Sequence, residues 1–214
     1  MGVLEAADAC VLAKELIARM TESHGMMAIF NPKPFEAAPS SGLHVHVSFA
    51  DVEALEVVRS VHKSRAFVAG VLRRQRLLCA YAMTTHGSYE RLCQWVLGDW
   101  ICWGTENRDA PVRRINDLHW EFRAIDSMAN MYLALTAYLG AGLLGLKQNE
   151  ALVAGDWCDF QSRLDSSTRV RLGISELLPK NLQEAVSLIC QDDLIGLNTV
   201  ISPGLLELYR VVKC

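Results

Sequence analysis

The chain has 214 residues, of which 51% are apolar and 21% charged, and its formal net charge is −3. That length allows one large globular domain or two small ones, and the composition fits a chain that buries a real core. The charge balance excludes the basic field that gathers nucleic acid or an anionic membrane surface. Seven cysteines are scattered with no C-x-x-C pair, and they read as reduced thiols of a cytoplasmic protein rather than a disulfide or zinc framework. The opening MGVLEAADAC has no basic segment followed by an apolar stretch, so no signal peptide is expected.

Residues 3–23 carry apolar side chains at helical spacing through Leu4, Cys10, Val11, Leu16, Ile17 and Met20, which predicts a helix closed by Gly25. MMAIF (26–30) reads as a short strand, and the proline-rich NPKPFEAAPSSG (31–42) as a loop. SGLHVHVSF (41–49) alternates strictly and predicts a strand with His44, His46 and Ser48 on one face. Residues 53–83 predict a long helix interrupted near Gly70, with LRRQR (72–76) as a solvated basic face. A polar loop (85–92), a tryptophan-rich strand (95–104) and a charged loop (105–117) follow. LHWEFRAI (118–125) is a second alternating strand, with His119, Glu121 and Arg123 on one face. Ser127–Leu146 is twenty residues without a charge, long enough to cross a bilayer. Its Asn130, Thr136 and clustered Gly140, Gly142 and Gly145 instead predict a core helix packed closely on its neighbours, capped by Asp126 or Ser127. Residues 148–214 predict helices and connecting loops, clearest at 178–189.

Two strands with matching polar faces can line one cavity. Arg91, Arg108, Arg113 and Arg114 fall between them in the chain, and so many guanidinium groups near imidazoles and a carboxylate point to a bound anion. A histidine and a glutamate facing each other suit Mg²⁺ or Mn²⁺ where phosphate oxygens or further carboxylates complete the shell.

The ordered series NPKPF…SGLHVHVSF, SYERL, ENRDAPVRR and HWEFRAIDSMANMYLALTAYLGAGLLGL resembles the catalytic domain of glutamine synthetase, and CWGTENRDAPVRR resembles the fungal fluG-type branch. The resemblance implies an α+β fold: a curved, largely antiparallel sheet carrying the site on one face, with helices on the other. It implies ATP-dependent ligation of ammonia, or another amine, to the γ-carboxylate of glutamate through a γ-glutamyl phosphate. By motif position, His44 and Glu121 resemble metal ligands, and His46 and Ser48 resemble ATP-contacting residues. Arg91 and Arg123 resemble glutamate-binding arginines. Arg108 resembles the catalytic arginine spanning substrate and phosphate, and Arg113 an ATP-phosphate arginine. The expected cofactors are Mg²⁺ or Mn²⁺ with ATP as co-substrate, in a homo-oligomer completed by the family's N-terminal part.

Some positions depart from the family pattern. The family's further metal-ligating glutamates lie upstream of the first helix here. No glutamate lies between Arg91 and Glu106 to act as the flap carboxylate of the ammonium pocket, and His119 stands where arginine is common. The alternative expectation is therefore a non-catalytic relative that binds nucleotide or partner subunits.

Overall fold

The computed structural model describes residues 2–37, 39–50, 57–93, 96–189, 201–202, 204–205 and 207–209. Helix α1 (Val3–Ser23) forms as its spacing predicts, closed by Gly25 at φ 68°. It lies on the fourth helix through Lys14 Nζ, which donates to the Ser127 carbonyl at 2.9 Å, and through the Tyr132 hydroxyl, which donates to Asp8 at 2.6 Å. Residues 26–30 form no strand, contrary to expectation. An apolar run becomes a strand only where a neighbour pairs with it, and Met27 is 80% exposed.

The sheet has four strands in the order β1-β4-β3-β2: β1 (Val45–Ser48), β2 (Trp103–Thr105), β3 (Val112–Asn116) and β4 (His119–Phe122). The β1–β4 and β3–β4 pairs are antiparallel, and the β2–β3 pair is parallel. The register opposes Val47 to Trp120 and Ser48 to His119. Trp120 and Phe122 point into the core and are fully buried, so the imidazoles and Glu121 take the opposite face. The predicted strand at 95–104 reduces to its last two residues plus Thr105, while the expected loop 105–117 contains β3. VRRIN reads as charged loop, but it sits between two strands that satisfy its backbone, and tertiary pairing overrides composition.

Helix α2 (Val57–Ala82) runs without a break through Gly70. It packs on α4 (Met131–Gln148), and Gly70 and Gly145 form the closest approach. A Cβ on Gly145 would lie 2.3 Å from the Ala66 carbonyl oxygen and 2.7 Å from the Gly70 Cα. The glycine is therefore a packing device rather than a helix break. Within 72–76, Arg74 corrects the solvated-face expectation: it is only 2% exposed, donating to the Gly70 carbonyl at 3.0 Å and to Glu150 at 2.9 Å. Arg76 pairs with Glu184 at 2.7 Å. Arg74 is buried and Arg76 half-buried because α4 and the helix at Leu182–Ile189 pack on α2.

Helix α4 is capped by Asn130, whose side chain accepts from the amides of Tyr132 and Leu133. The expected caps lie elsewhere: Asp126 is buried before the helix, and the Ser127 hydroxyl donates to the Phe30 carbonyl at 2.5 Å. Among the described residues no helix is long and apolar enough to cross a membrane. The expected loop 85–92 contains a single-turn helix α3 (His86–Tyr89). Helices α5 (Ser166–Leu172) and α6 (Leu182–Ile189) follow a short 3₁₀ turn at Gln161–Arg163. Among the described cysteines, Cys10, Cys79, Cys93, Cys102 and Cys158 are free thiols; Cys190 and Cys214 lie outside the described residues, as do 53–56 of the predicted long helix.

Candidate active site

Glu121 is the centre of the polar face. It sits on β4 between β1 and β3, opposite His46 on one side and Arg113 on the other. Its Oε1 lies 2.8 Å from His44 Nδ1 and accepts from Arg123 Nη1 at 2.8 Å; its Oε2 accepts from Arg113 Nη1 at 2.9 Å. Glu121 is 2% exposed. Burial alone would raise its pKa, but the Arg113 hydrogen bond and the charges of Arg123 and Arg113 outweigh it and hold the carboxyl below its usual range. His44 behaves in the opposite way. Burial, with Arg123 and Arg91 nearby, depresses its pKa to about 4 against the pull of Glu121, so the imidazole is neutral near pH 7. His44 Nδ1 faces both Glu121 Oε1 at 2.8 Å and Arg123 Nη1 at 3.3 Å; in the tautomer with Nδ1–H donated to Glu121, Nε2 carries the lone pair, beside Gly42, where a Cβ would come within 2.8 Å.

The arginines divide by environment. Arg113 Nη2 pairs with Glu106, and that hydrogen bond is the main cause raising its pKa. The Nε atoms of Arg113 and Arg123 are buried with no hydrogen-bond partner among the described residues. Arg108 is exposed and lines a cavity of about 240 Å³ with Glu106, Asn107, Asp159 and Phe160, and its charge is felt at Arg123. Arg91 is different. It is 1% exposed, its Nη atoms donate to the carbonyls of Ile125 and Arg123 at 3.0 and 3.1 Å, and Asp126 lies 3.6 Å away. His46 and Ser48 form a second small group with His119: His46 Nδ1 is 2.9 Å from His119 Nε2, and the Ser48 hydroxyl is 3.2 Å from His119 Nδ1.

The sequence pattern therefore brings His44, Glu121, Arg113 and Arg123 into one network, with His46 and Ser48 beside it on the same strand. Arg108 opens into the neighbouring cavity, and Arg91 lies behind the face. Two participants, His119 and Glu106, had been assigned no role in the site. His119 was legible, since alternation already placed it on the Glu121 face. Glu106 was not: it follows β2 in the left-handed conformation, at φ 53°, and nothing in a charged loop announces that turn.

By donor type His44 and Glu121 suit a partly hydrated divalent cation, which would have to compete with Arg113 and Arg123 for the Glu121 oxygens. Mg²⁺ and Mn²⁺ accept an ionised carboxylate and a neutral imidazole, with water and phosphate oxygens completing the shell. Among the described residues no group of three or more histidine, cysteine or acidic side chains converges on one point. The cationic side, with the Arg113, Arg123 and exposed Arg108 guanidinium groups close together, has the charge that polyphosphate recognition uses.

An α+β sheet that gathers guanidinium, imidazole and carboxylate groups on one face defines a domain of anion-directed polar chemistry. Residues 2–214 match the family described as "Glutamine synthetase, catalytic domain", and the chain belongs to that family. It is 34% identical over 210 residues to Protein fluG of Emericella nidulans, covering 97% of this chain and 23% of that protein. It is 34% identical over 203 residues to a glutamine synthetase of Thermotoga maritima, covering 90% of this chain and 46% of the relative. A GmaS structure determined as an ADP complex superposes with a TM-score of 0.80 at 26% identity, covering 100% of this chain and 50% of that one. The chain thus spans half the length, or less, of these relatives.

Proposed function

We propose that this chain carries the catalytic face of an ATP-dependent ligase that joins ammonia, or another amine, to the γ-carboxylate of glutamate through a γ-glutamyl phosphate. The observation that carries the reading is the Glu121 network, in which a neutral imidazole and an ionised carboxylate meet two arginines within 3 Å contacts. In this reading His44 and Glu121 hold Mg²⁺ or Mn²⁺, which supplies charge neutralisation to the phosphates when bound. Arg113 holds an ATP phosphate, and Arg108 reaches both phosphate and substrate. Arg123 binds the glutamate carboxylate, with Arg91 supporting it from behind by donating to the Arg123 carbonyl. His46 and Ser48 contact the nucleotide. Fixed guanidinium groups of this kind stabilise charge that grows on a phosphoryl group in transfer. The ADP bound to the GmaS relative supports a nucleotide at this face. The setting we infer is cytoplasmic, in an oligomer that includes the remaining half found in the relatives.

The test is formation of γ-glutamyl hydroxamate from glutamate, hydroxylamine and ATP with Mg²⁺ or Mn²⁺. Removing a group that stabilises the transferring phosphoryl typically costs about 10²–10³ in rate, and His44→Ala is expected to lose that much. Equal rates for the native protein and His44→Ala would refute the metal role. A second reading is binding without turnover, and the engagement of both Glu121 oxygens by arginines favours it. Calorimetric binding of Mg²⁺–ATP with no hydroxamate formed would support that alternative.

A further inference from the structure

Glu106 stands where an anion would be expected to find a free arginine edge. The turn after β2 holds it in place: its amide donates to the Arg114 carbonyl at 3.0 Å, and its φ of 53° is a conformation that side chains other than glycine seldom take. The next residue locks the turn. Asn107 is buried, and its side-chain amide donates to the carbonyls of Trp157 and Asp159 at 2.7 and 2.8 Å. From this fixed backbone the Glu106 carboxylate reaches Arg113 Nη2, while Arg113 Nη1 holds Glu121. Both terminal nitrogens of one guanidinium are thereby held by carboxylates. Glu106 also lines the cavity that Arg108 enters. Unlike Glu121, its side chain is 55% exposed and free to leave.

We infer that Glu106 is a specificity-determining residue: by occupying one edge of Arg113 it disfavours a bare polyphosphate and admits one whose charge a divalent cation has already reduced. The inference rests on the proposed assignment of Arg113 to phosphate. A phosphate arriving at Arg113 must displace the Glu106 carboxylate and then sit beside it. That repulsion grows with the net charge of the incoming group, so it falls hardest on the metal-free nucleotide. Among the charged groups meeting here, Arg113 faces both Glu106 and Glu121, Arg123 faces Glu121, and Arg108 lines the same cavity as Glu106 and Asp159. Removing one carboxylate shifts that balance by a full charge without removing any donor.

The experiment is a calorimetric titration of the native protein and Glu106→Gln with ATP, once in excess EDTA and once with saturating Mg²⁺. Glutamine keeps the size and the hydrogen-bonding reach while deleting the charge. Glu106→Gln is expected to bind metal-free ATP about tenfold more tightly, which is 1.4 kcal/mol, and Mg²⁺–ATP by a clearly smaller factor. Arg113→Gln, the control, should weaken both forms. Metal-free binding that is unchanged or weaker in Glu106→Gln overturns the inference, and so does an equal gain for the two forms. If neither protein binds ATP in either form, the nucleotide assignment fails and this inference falls with it. If native protein binds and only the discrimination is missing, the assignment survives and Glu106 loses its role.

Discussion

Replacing Glu121 by glutamine tests whether the polar network exists in solution as a dry, mutually paired cluster. The carboxylate is 2% exposed and takes contacts from His44 at 2.8 Å, Arg123 at 2.8 Å and Arg113 at 2.9 Å. Glutamine keeps one acceptor oxygen but turns an N–H₂ toward cationic donors and leaves Arg123 without its counter-charge. Removing one member of a buried pair costs about 3–5 kcal/mol. Arg113 keeps Glu106 and is 16% exposed, so part of its charge is screened; the expected loss is about 2–4 kcal/mol. For a domain of this size that lowers the melting temperature by about 4–16 °C. The assay is urea unfolding followed by tryptophan fluorescence, with a thermal scan alongside. A lower midpoint at unchanged slope is the expected result. A loss below about 0.5 kcal/mol, the range of ordinary surface substitutions, would show that these side chains are solvated and would refute the network.

Two further outcomes follow from the same coordinates. His44, followed by its imidazole proton resonances, should titrate near pH 4 rather than near its unfolded value of 6.5. Above pH 6.5 both states are neutral at this group. Between 6.5 and about 4 the unfolded chain takes up a proton that the fold refuses, so stability declines through that window by about 1–2 kcal/mol, allowing for a side chain 30% exposed. An imidazole that titrates at 6.5 or above would overturn the assigned balance of burial and charge. Gly145→Ala should destabilise the fold by about 2 kcal/mol or more, because its Cβ meets backbone atoms at 2.3 and 2.7 Å that cannot rotate away. Gly87→Ala, with nothing within 4 Å, is the control and should be neutral within about 0.5 kcal/mol; equal effects of the two would remove the close helix contact as an explanation.

Much of this was legible because the signals were periodic. Strict alternation in HVHVS and HWEFR fixed which side chains share a face, and pairing of β1 with β4 then had to bring His44 near Glu121. Helical spacing likewise placed α1, and an uncharged run with clustered glycines placed α4. What failed was local composition used without a partner in mind. MMAIF looks like a strand and pairs with nothing described, while VRRIN looks like a loop and is a central strand. The break expected at Gly70 failed for a similar reason. A glycine inside a helix has two meanings, and only the facing Gly145 tells which applies.

The arginines show most sharply what a residue type leaves open. Arg91 and Arg123 were expected to share one role, and each is deeply buried. Arg123 follows β4 directly, so the strand's alternation directs it at Glu121, its neighbour two positions back on the same face. Arg91 follows the one-turn helix α3, and its reach is set by the chain leaving that turn. It meets the carbonyls of Arg123 and Ile125, groups that β4 exposes once its pairing ends after Phe122. The Ile125 carbonyl also accepts from the Leu43 amide at 3.1 Å, and a guanidinium with several N–H groups in one plane can bond both carbonyls at once. Arg91 thus fixes the backbone from which Arg123 projects. The two arginines meet through that carbonyl, so a change at Arg91 is expected to reach the site through the backbone of Arg123.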